Sequence, residues 1–107
     1  MGSPVGPDAT AQQQPSRLPV QVLLLSQEQC SFCDHAKAIV DRLAAEYPLS
    51  VRTLDVASPE GRALAERGGI LFPPGVFLDG EPFSYGRLSE RRLRRELRRR
   101  LETKGWS

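Results

Sequence analysis

The 107-residue chain is predicted to be an α/β protein, a four-stranded mixed sheet flanked by helices in the order β-α-β-α-β-β-α. Three observations predict it: the barely alternating apolar run Val20 to Ser26, helically spaced apolar residues directly after it, and two short strand-like segments joined by Asp79-Gly80.

Val20 to Ser26 reads as a central strand buried on both faces, because a strand with one wet face would alternate. From Cys33 onward Ala36, Ile39, Val40, Leu43, Ala44 and Tyr47 recur at helical spacing, and Pro48 is expected to end that helix. Leu49 to Val56 is the second strand, and the helix between the two strands implies a parallel pair with a right-handed crossover. Ser58-Pro59-Glu60 combines a capping serine, a proline at the first helical position and an early acid, and Gly68-Gly69 closes the helix they start. Gly75 to Leu78, the Asp79-Gly80 turn and Glu81 to Tyr85 form a hairpin that adds antiparallel strands to the sheet. Ser89 caps the last helix.

A chain of this length supports one compact domain. Residues 1 to 19 carry Pro4, Pro7, Pro15, Pro19 and the Gln12-Gln13-Gln14 run with almost no large apolar side chain. They bury too little surface to offset ordering entropy, so they are read as a disordered tail and residues 20 to 107 as the domain. The tail has neither an apolar core segment nor a basic start, so no secretory signal is expected. No apolar run approaches ~20 residues, so no membrane association is expected either. A reducing, cytoplasmic setting is the resulting expectation.

The two cysteines stand three apart in Cys30-Ser31-Phe32-Cys33, where the first strand gives way to the first helix. That spacing on a helix puts Cβ atoms ~5 to 6 Å apart, near what a disulfide accepts. A thiol at a helix start also faces unsatisfied N–H groups and the positive end of the helix dipole, which favour the thiolate. Cys30, at the exposed start, is the expected nucleophile; Cys33, inside the first turn, is the expected resolving thiol. Lowering a thiol pKa by ~2 from about 8.5 changes the rate of attack little, because nucleophilicity falls as thiolate rises, yet it favours the reduced dithiol by about 60 mV. Glu28 and Asp34 flank the pair and oppose the thiolate, and His35 supports it when protonated. A permanent structural bridge fits less well, since it would close too short a loop to constrain the unfolded chain much. Zinc wants four ligands, and two cysteines with one His do not supply them, so no metal is expected.

The net charge of +2 hides an asymmetry. Arg91, Arg92, Arg94, Arg95, Arg98, Arg99 and Arg100 surround Leu93, Leu97 and Leu101 in the last helix. The leucine spacing gives one narrow apolar stripe, so the plain reading is a solvated surface helix held by its leucines. The sharper reading is an electrostatic docking face for nucleic acid or an acidic protein partner. Nucleic acid is not expected, because no aromatic residue interleaves these arginines before Trp106.

A CxxC at the junction of a first strand and helix is a pointer to a thioredoxin-like redox site. Residues 20 to 103 resemble the glutaredoxin branch of the thioredoxin-like superfamily. The resemblance rests on Cys30-Ser31-Phe32-Cys33, on Phe72-Pro73-Pro74-Gly75-Val76-Phe77, and on Gly86 before the last helix. It implies a thioredoxin-like fold and makes Pro74 the cis-proline beside the cysteines, with Pro73, Phe72 and Phe32 around the substrate. Ser-Phe between the cysteines, with no Trp before Cys30, fits glutaredoxins better than thioredoxin proper. The departures concern glutathione. Gln27 stands where the family has a carboxylate-binding lysine, Pro73 has no N–H to lend to the ligand, and Tyr85-Gly86-Arg87-Leu88-Ser89 replaces a glycine pair with an acid. Gly86 and Arg87 remain as contacts, Arg87 offering a cation for a carboxylate.

The leading functional expectation is a small dithiol-disulfide oxidoreductase, serving cell redox homeostasis and electron transport. It would act as a monomer on disulfide-containing proteins or low-molecular-weight thiols. No tightly bound cofactor is expected, and glutathione or a reductase supplies electrons. Two alternatives stand beside it. One is an iron-sulfur carrier in which Cys30 from two subunits and external thiols hold the cluster. The other is a redox-switched adaptor docking through Arg94, Arg95, Arg98 and Arg99.

Overall fold

The computed structural model describes residues 18–106. The expected tail lies, apart from Leu18 and Pro19, outside the described residues, as does Ser107. The elements are β1 (Val20–Ser26), α1 (Ser31–Ala44), β2 (Leu49–Asp55), α2 (Pro59–Gly68), β3 (Gly75–Leu78), β4 (Glu81–Tyr85) and α3 (Glu90–Thr103).

The sheet runs β2-β1-β3-β4, with β1 parallel to β2 and antiparallel to β3, and β3 antiparallel to β4. β1 is central, which explains its continuous apolar run. Val20, Val22 and Leu24 point to one face and Leu23 and Leu25 to the other. Gln21 departs from the expected burial on both faces. It lies exposed, and its N–H donates to Asp79 Oδ1 at 3.0 Å, where the hairpin turn closes over the start of the strand.

The two faces are unequally covered. α1 and α3 share one, and Ala36, Ile39, Val40, Leu43, Leu93, Leu97 and Leu101 pack there against Val20, Val22, Leu24, Val76 and Leu78. On the other, α2 lies alone over a smaller cluster of Leu25, Ile70 and Phe77, with Leu23, Leu54, Leu64 and Ala65 around it. α1 and α3 run side by side in the same direction. Arg42 meets Glu90 at 2.6 Å and Glu46 meets Arg94 at 2.6 Å, each pair one turn further along than the last.

All three helices are capped by the residue before them. Ser58 Oγ accepts from Gly61 N at 3.0 Å, and Ser89 Oγ accepts from Arg92 N at 3.2 Å. Gly69 ends α2 at φ 69°, a left-handed conformation that glycine adopts without steric cost. α1 ends at Ala44, earlier than Pro48 alone would place it. Its last turn tightens, with Ala45 and Glu46 donating to Arg42 and Leu43, and Tyr47 leaves the helix to pack edge-on against Trp106 at 5.6 Å. β2 ends at Asp55, one residue short of Val56. Among the described residues no helix is long and apolar enough to cross a membrane.

Candidate functional site

The strand register brings the chemistry to one edge of the sheet. Ser26 pairs with Asp55, Leu25 with Gly75, and Gly75 with Tyr85. The segments 27–33, 70–74 and 86–89 therefore all leave the sheet at that edge. It is the carboxyl end of the parallel pair, where open α/β sheets collect ligands.

Cys30 is the N-cap of α1. The chain reaches it through Gln29 at φ 54°, a left-handed conformation uncommon for a residue with a Cβ. Cys30 itself is extended (φ −121°, ψ 104°), and its Sγ accepts from the backbone N–H of Cys33 at 3.1 Å. Its carbonyl accepts from Cys33 at 3.1 Å and from Asp34 at 3.0 Å. The sulfur thus sits at the positive end of a helix dipole with a donor aimed at it, the setting that stabilises a thiolate. The two cysteines are joined as a disulfide with Cα atoms 5.1 Å apart. Cys30 is half-buried, whereas Cys33 is 2% exposed and lies on the inner face of α1. Glu28, Asp34 and His35 are exposed around the pair.

At the same end of the sheet, the Pro73–Pro74 bond is cis, and Pro74 is buried. The carbonyl of Pro74 accepts from Gly86 N at 2.8 Å, which ties the loop before β3 to the loop after β4. Gly86 is buried at φ 79°, and a Cβ there would stand 2.9 Å from Phe72 Cε1. Phe72 in turn meets Tyr85 edge to face at 5.2 Å. Pro73, Pro74, Phe72 and Gly86 therefore form one connected unit.

Four large side chains with apolar surface stay exposed at this end of the sheet: Leu71 at 74%, Phe72 at 54%, Phe32 at 51% and Tyr85, the last residue of β4, at 41%. Leu71 and Tyr85 were not among the residues singled out from sequence. Ile70 turns into the core while Leu71 and Phe72 after it stay out, a distinction that the fold makes and the apolar run does not show. An apolar rim of this kind suits protein contact.

Gln27 is exposed in the turn between β1 and Cys30. Arg87 is exposed and lines a groove with His35, Ile39, Ser89 and Arg91, between the start of α1 and the start of α3. Among the described residues no group of His, Cys, Asp and Glu side chains is arranged to hold a metal ion.

The arginine helix is held by its leucines, all fully buried, and most of its cations are engaged within the domain. Arg94 bridges Glu46 and Glu90, Arg99 pairs with Glu96, and Arg100 pairs with Asp79, Glu81 and Glu96. Arg98 Nε donates to Tyr47 Oη at 3.0 Å and holds that phenol below its ordinary pKa.

A family model described as a Glutaredoxin-like domain (DUF836) matches residues 21–98. Among curated proteins no sequence matches. A solved structure of a mutant thioredoxin from Halobacterium salinarum superposes with a TM-score of 0.64 at 22% identity, covering 94% of this chain and 88% of that one. At that identity the likeness speaks to the fold, which is thioredoxin-like.

Proposed function

Because the chain belongs to the glutaredoxin-like domain family, we propose that it is a small dithiol-disulfide oxidoreductase whose reacting pair is Cys30 and Cys33. The single observation that carries this reading is the Cys30–Cys33 pair at the start of α1, with Cys30 half-buried, its sulfur accepting from the Cys33 amide, and Cys33 buried on the inner face of the helix.

In the proposed cycle the Cys30 thiolate attacks one sulfur of a substrate disulfide. An S–S bond forms to Cys30, the substrate bond breaks, and the other substrate sulfur leaves as a thiolate that takes up a proton. Cys33 then loses its proton and attacks Cys30 Sγ. The mixed disulfide breaks, the second substrate thiol departs, and the Cys30–Cys33 disulfide remains. Two electrons have passed to the substrate, and a thiol reductant, either glutathione or a reductase-held dithiol, returns the pair to the reduced state.

The roles of the neighbours follow from position. Pro74, through its carbonyl bond to Gly86, would fix the loop before β3 as one side of the substrate site. Phe32, Leu71, Phe72 and Tyr85 offer apolar contact to a polypeptide, which favours a protein disulfide over a small thiol as substrate. Pro73 gives no N–H and Gln27 no charge to a glutathione carboxylate, so a reductase-held dithiol suits the site better as electron source.

The test measures Cys30 alkylation against pH beside turnover of insulin disulfides, with glutathione and glutathione reductase in one arm and a thioredoxin-reductase system in the other. The reading expects an alkylation midpoint well below 8.5 and faster turnover in the second arm. Absence of turnover in both arms, with a midpoint near 8.5, would overturn it.

A further inference from the structure

We infer that the solvent face of α3 is a docking track for an acidic polypeptide segment, which it leads toward the Cys30 end of the molecule. This rests on the proposed oxidoreductase reading for its purpose, though not for its physical basis.

The argument starts from which arginines the fold itself engages. Arg94, Arg99 and Arg100 are neutralised by carboxylates, and Arg92 lies over the Phe83 ring at 5.7 Å. Arg98 donates to the Tyr47 phenol and forms no ion pair of its own, with Glu46 only in electrostatic reach. Arg87, Arg91 and Arg95 take part in none of the ion pairs among the described residues, and all three are exposed. What remains is not scattered. Residues 91, 95 and 98 follow the four-then-three spacing of one helical stripe, opposite the buried Leu93, Leu97 and Leu101.

The stripe has a direction. Arg91 belongs both to the groove along α3, with Arg95 and Arg98, and to the groove it shares with Arg87 and His35. The two grooves therefore meet at Arg91. His35 lies near the start of α1, so the track ends at the helix start that Cys30 caps. Glu102 marks the other end.

Spacing then selects the partner. At ~1.5 Å rise per residue, Arg91 to Arg95 spans ~6 Å and Arg95 to Arg98 ~4.5 Å. An extended chain advances ~3.3 Å per residue and turns every second side chain to the same side, so acids at alternate positions, ~6.6 Å apart, match the Arg91–Arg95 step, and the long arginine stems take up the ~2 Å difference at Arg98. Nucleic acid fits less well. The stripe offers a few uncommitted cations where a duplex binder makes about 6 to 10 phosphate contacts, and no aromatic ring lies among the residues lining the α3 groove for a base to stack on.

The experiment uses the full chain and two fluorescent disulfide peptides, one with glutamates at alternate positions flanking its cystine and one with glutamines. Binding is read by anisotropy and reduction by kcat/KM, at low and high salt, with bis(2-hydroxyethyl) disulfide as a small substrate. R91Q/R95Q removes two track cations at positions where glutamine keeps the helix. R52Q/R67Q removes two from β2 and α2 as a matched control. The inference expects the acidic peptide to be preferred at low salt by about tenfold, a preference lost at high salt and in R91Q/R95Q but kept in R52Q/R67Q. Turnover of the small disulfide should be unchanged in both variants. Equal handling of the two peptides, or equal losses in the two variants, would overturn the track. So would a labelled duplex oligonucleotide that binds more tightly than the acidic peptide and is released by R91Q/R95Q. If the small disulfide is not reduced at all while salt-sensitive binding of the acidic peptide persists, the track stands and the oxidoreductase reading falls.

Discussion

The Cys33 amide donates to the Cys30 sulfur at 3.1 Å, so a cysteine sulfur holds the position that a serine hydroxyl holds at the starts of α2 and α3. In the proposed cycle the same atom is at once a cap and a nucleophile. The two duties separate on mutation. Cys30→Ser keeps an acceptor at the helix start and should match the reduced parent in urea unfolding, with turnover of insulin disulfides abolished. Cys30→Ala should lose turnover and about 1 kcal/mol of stability as well.

Cys33→Ser tests the division of labour. Cys30 keeps its place and its donor, since the bond comes from the backbone of residue 33. The variant should attack a disulfide once and stall, accumulating a mixed disulfide on Cys30 that intact-mass measurement detects. A variant that releases product at the parent's rate would show that Cys33 does not resolve.

Gly86 and Gly80 form a natural comparison. Both have positive φ, 79° and 83°, but a Cβ on Gly80 meets nothing within 4 Å while one on Gly86 meets Phe72 at 2.9 Å. Gly80→Ala should cost roughly 1 to 2 kcal/mol for backbone conformation alone. Gly86→Ala should cost more in denaturant unfolding, and by displacing Phe72 it should also raise KM for a protein disulfide while leaving a small disulfide unaffected.

The sequence made legible whatever is local. Ser58-Pro59, Asp79-Gly80 and Ser89 carry their own turn and cap chemistry, and Leu93, Leu97 and Leu101 announce the buried stripe of α3. Less legible was whatever depends on a distant partner. Glu46 and Arg94 are 48 residues apart, and no periodicity reveals that one cancels the other. The end of α1 is hidden from the sequence for the same reason. Tyr47 continues the helical spacing on paper, yet its ring is claimed by Trp106 and its hydroxyl by Arg94 and Arg98. Pro73-Pro74 and Gly86 were recognisable by family likeness, while the hydrogen bond joining Pro74 to Gly86 and the Phe72–Tyr85 contact required the fold.

Acid should loosen the seam between α1 and α3. Arg94 holds the Glu46 carboxyl below the ordinary carboxylate range by direct hydrogen bonding, and Arg42 does the same for Glu90. A folded-state pKa below the unfolded value means stability that is fully present above about 4.3 and lost as pH falls through the lower folded values. Urea midpoints should therefore be flat near neutrality and decline below about pH 4.5. Glu46→Gln with Glu90→Gln should flatten that decline, and an unaltered acid limb in the double variant would contradict the assignment.

The unequal covering of the sheet divides the molecule by how readily it opens. Amides of β1, β3, α1 and α3 share the larger apolar cluster, so their exchange with deuterated solvent should require near-global unfolding. α2 rests on the smaller cluster, and β2 is an edge strand with most of its side chains exposed. Their amides should exchange through a cheaper partial opening that leaves α1 in place. Cys30 and Cys33 are thus anchored in the slow-exchanging half, so the pair can be presented to a partner while the opposite layer breathes.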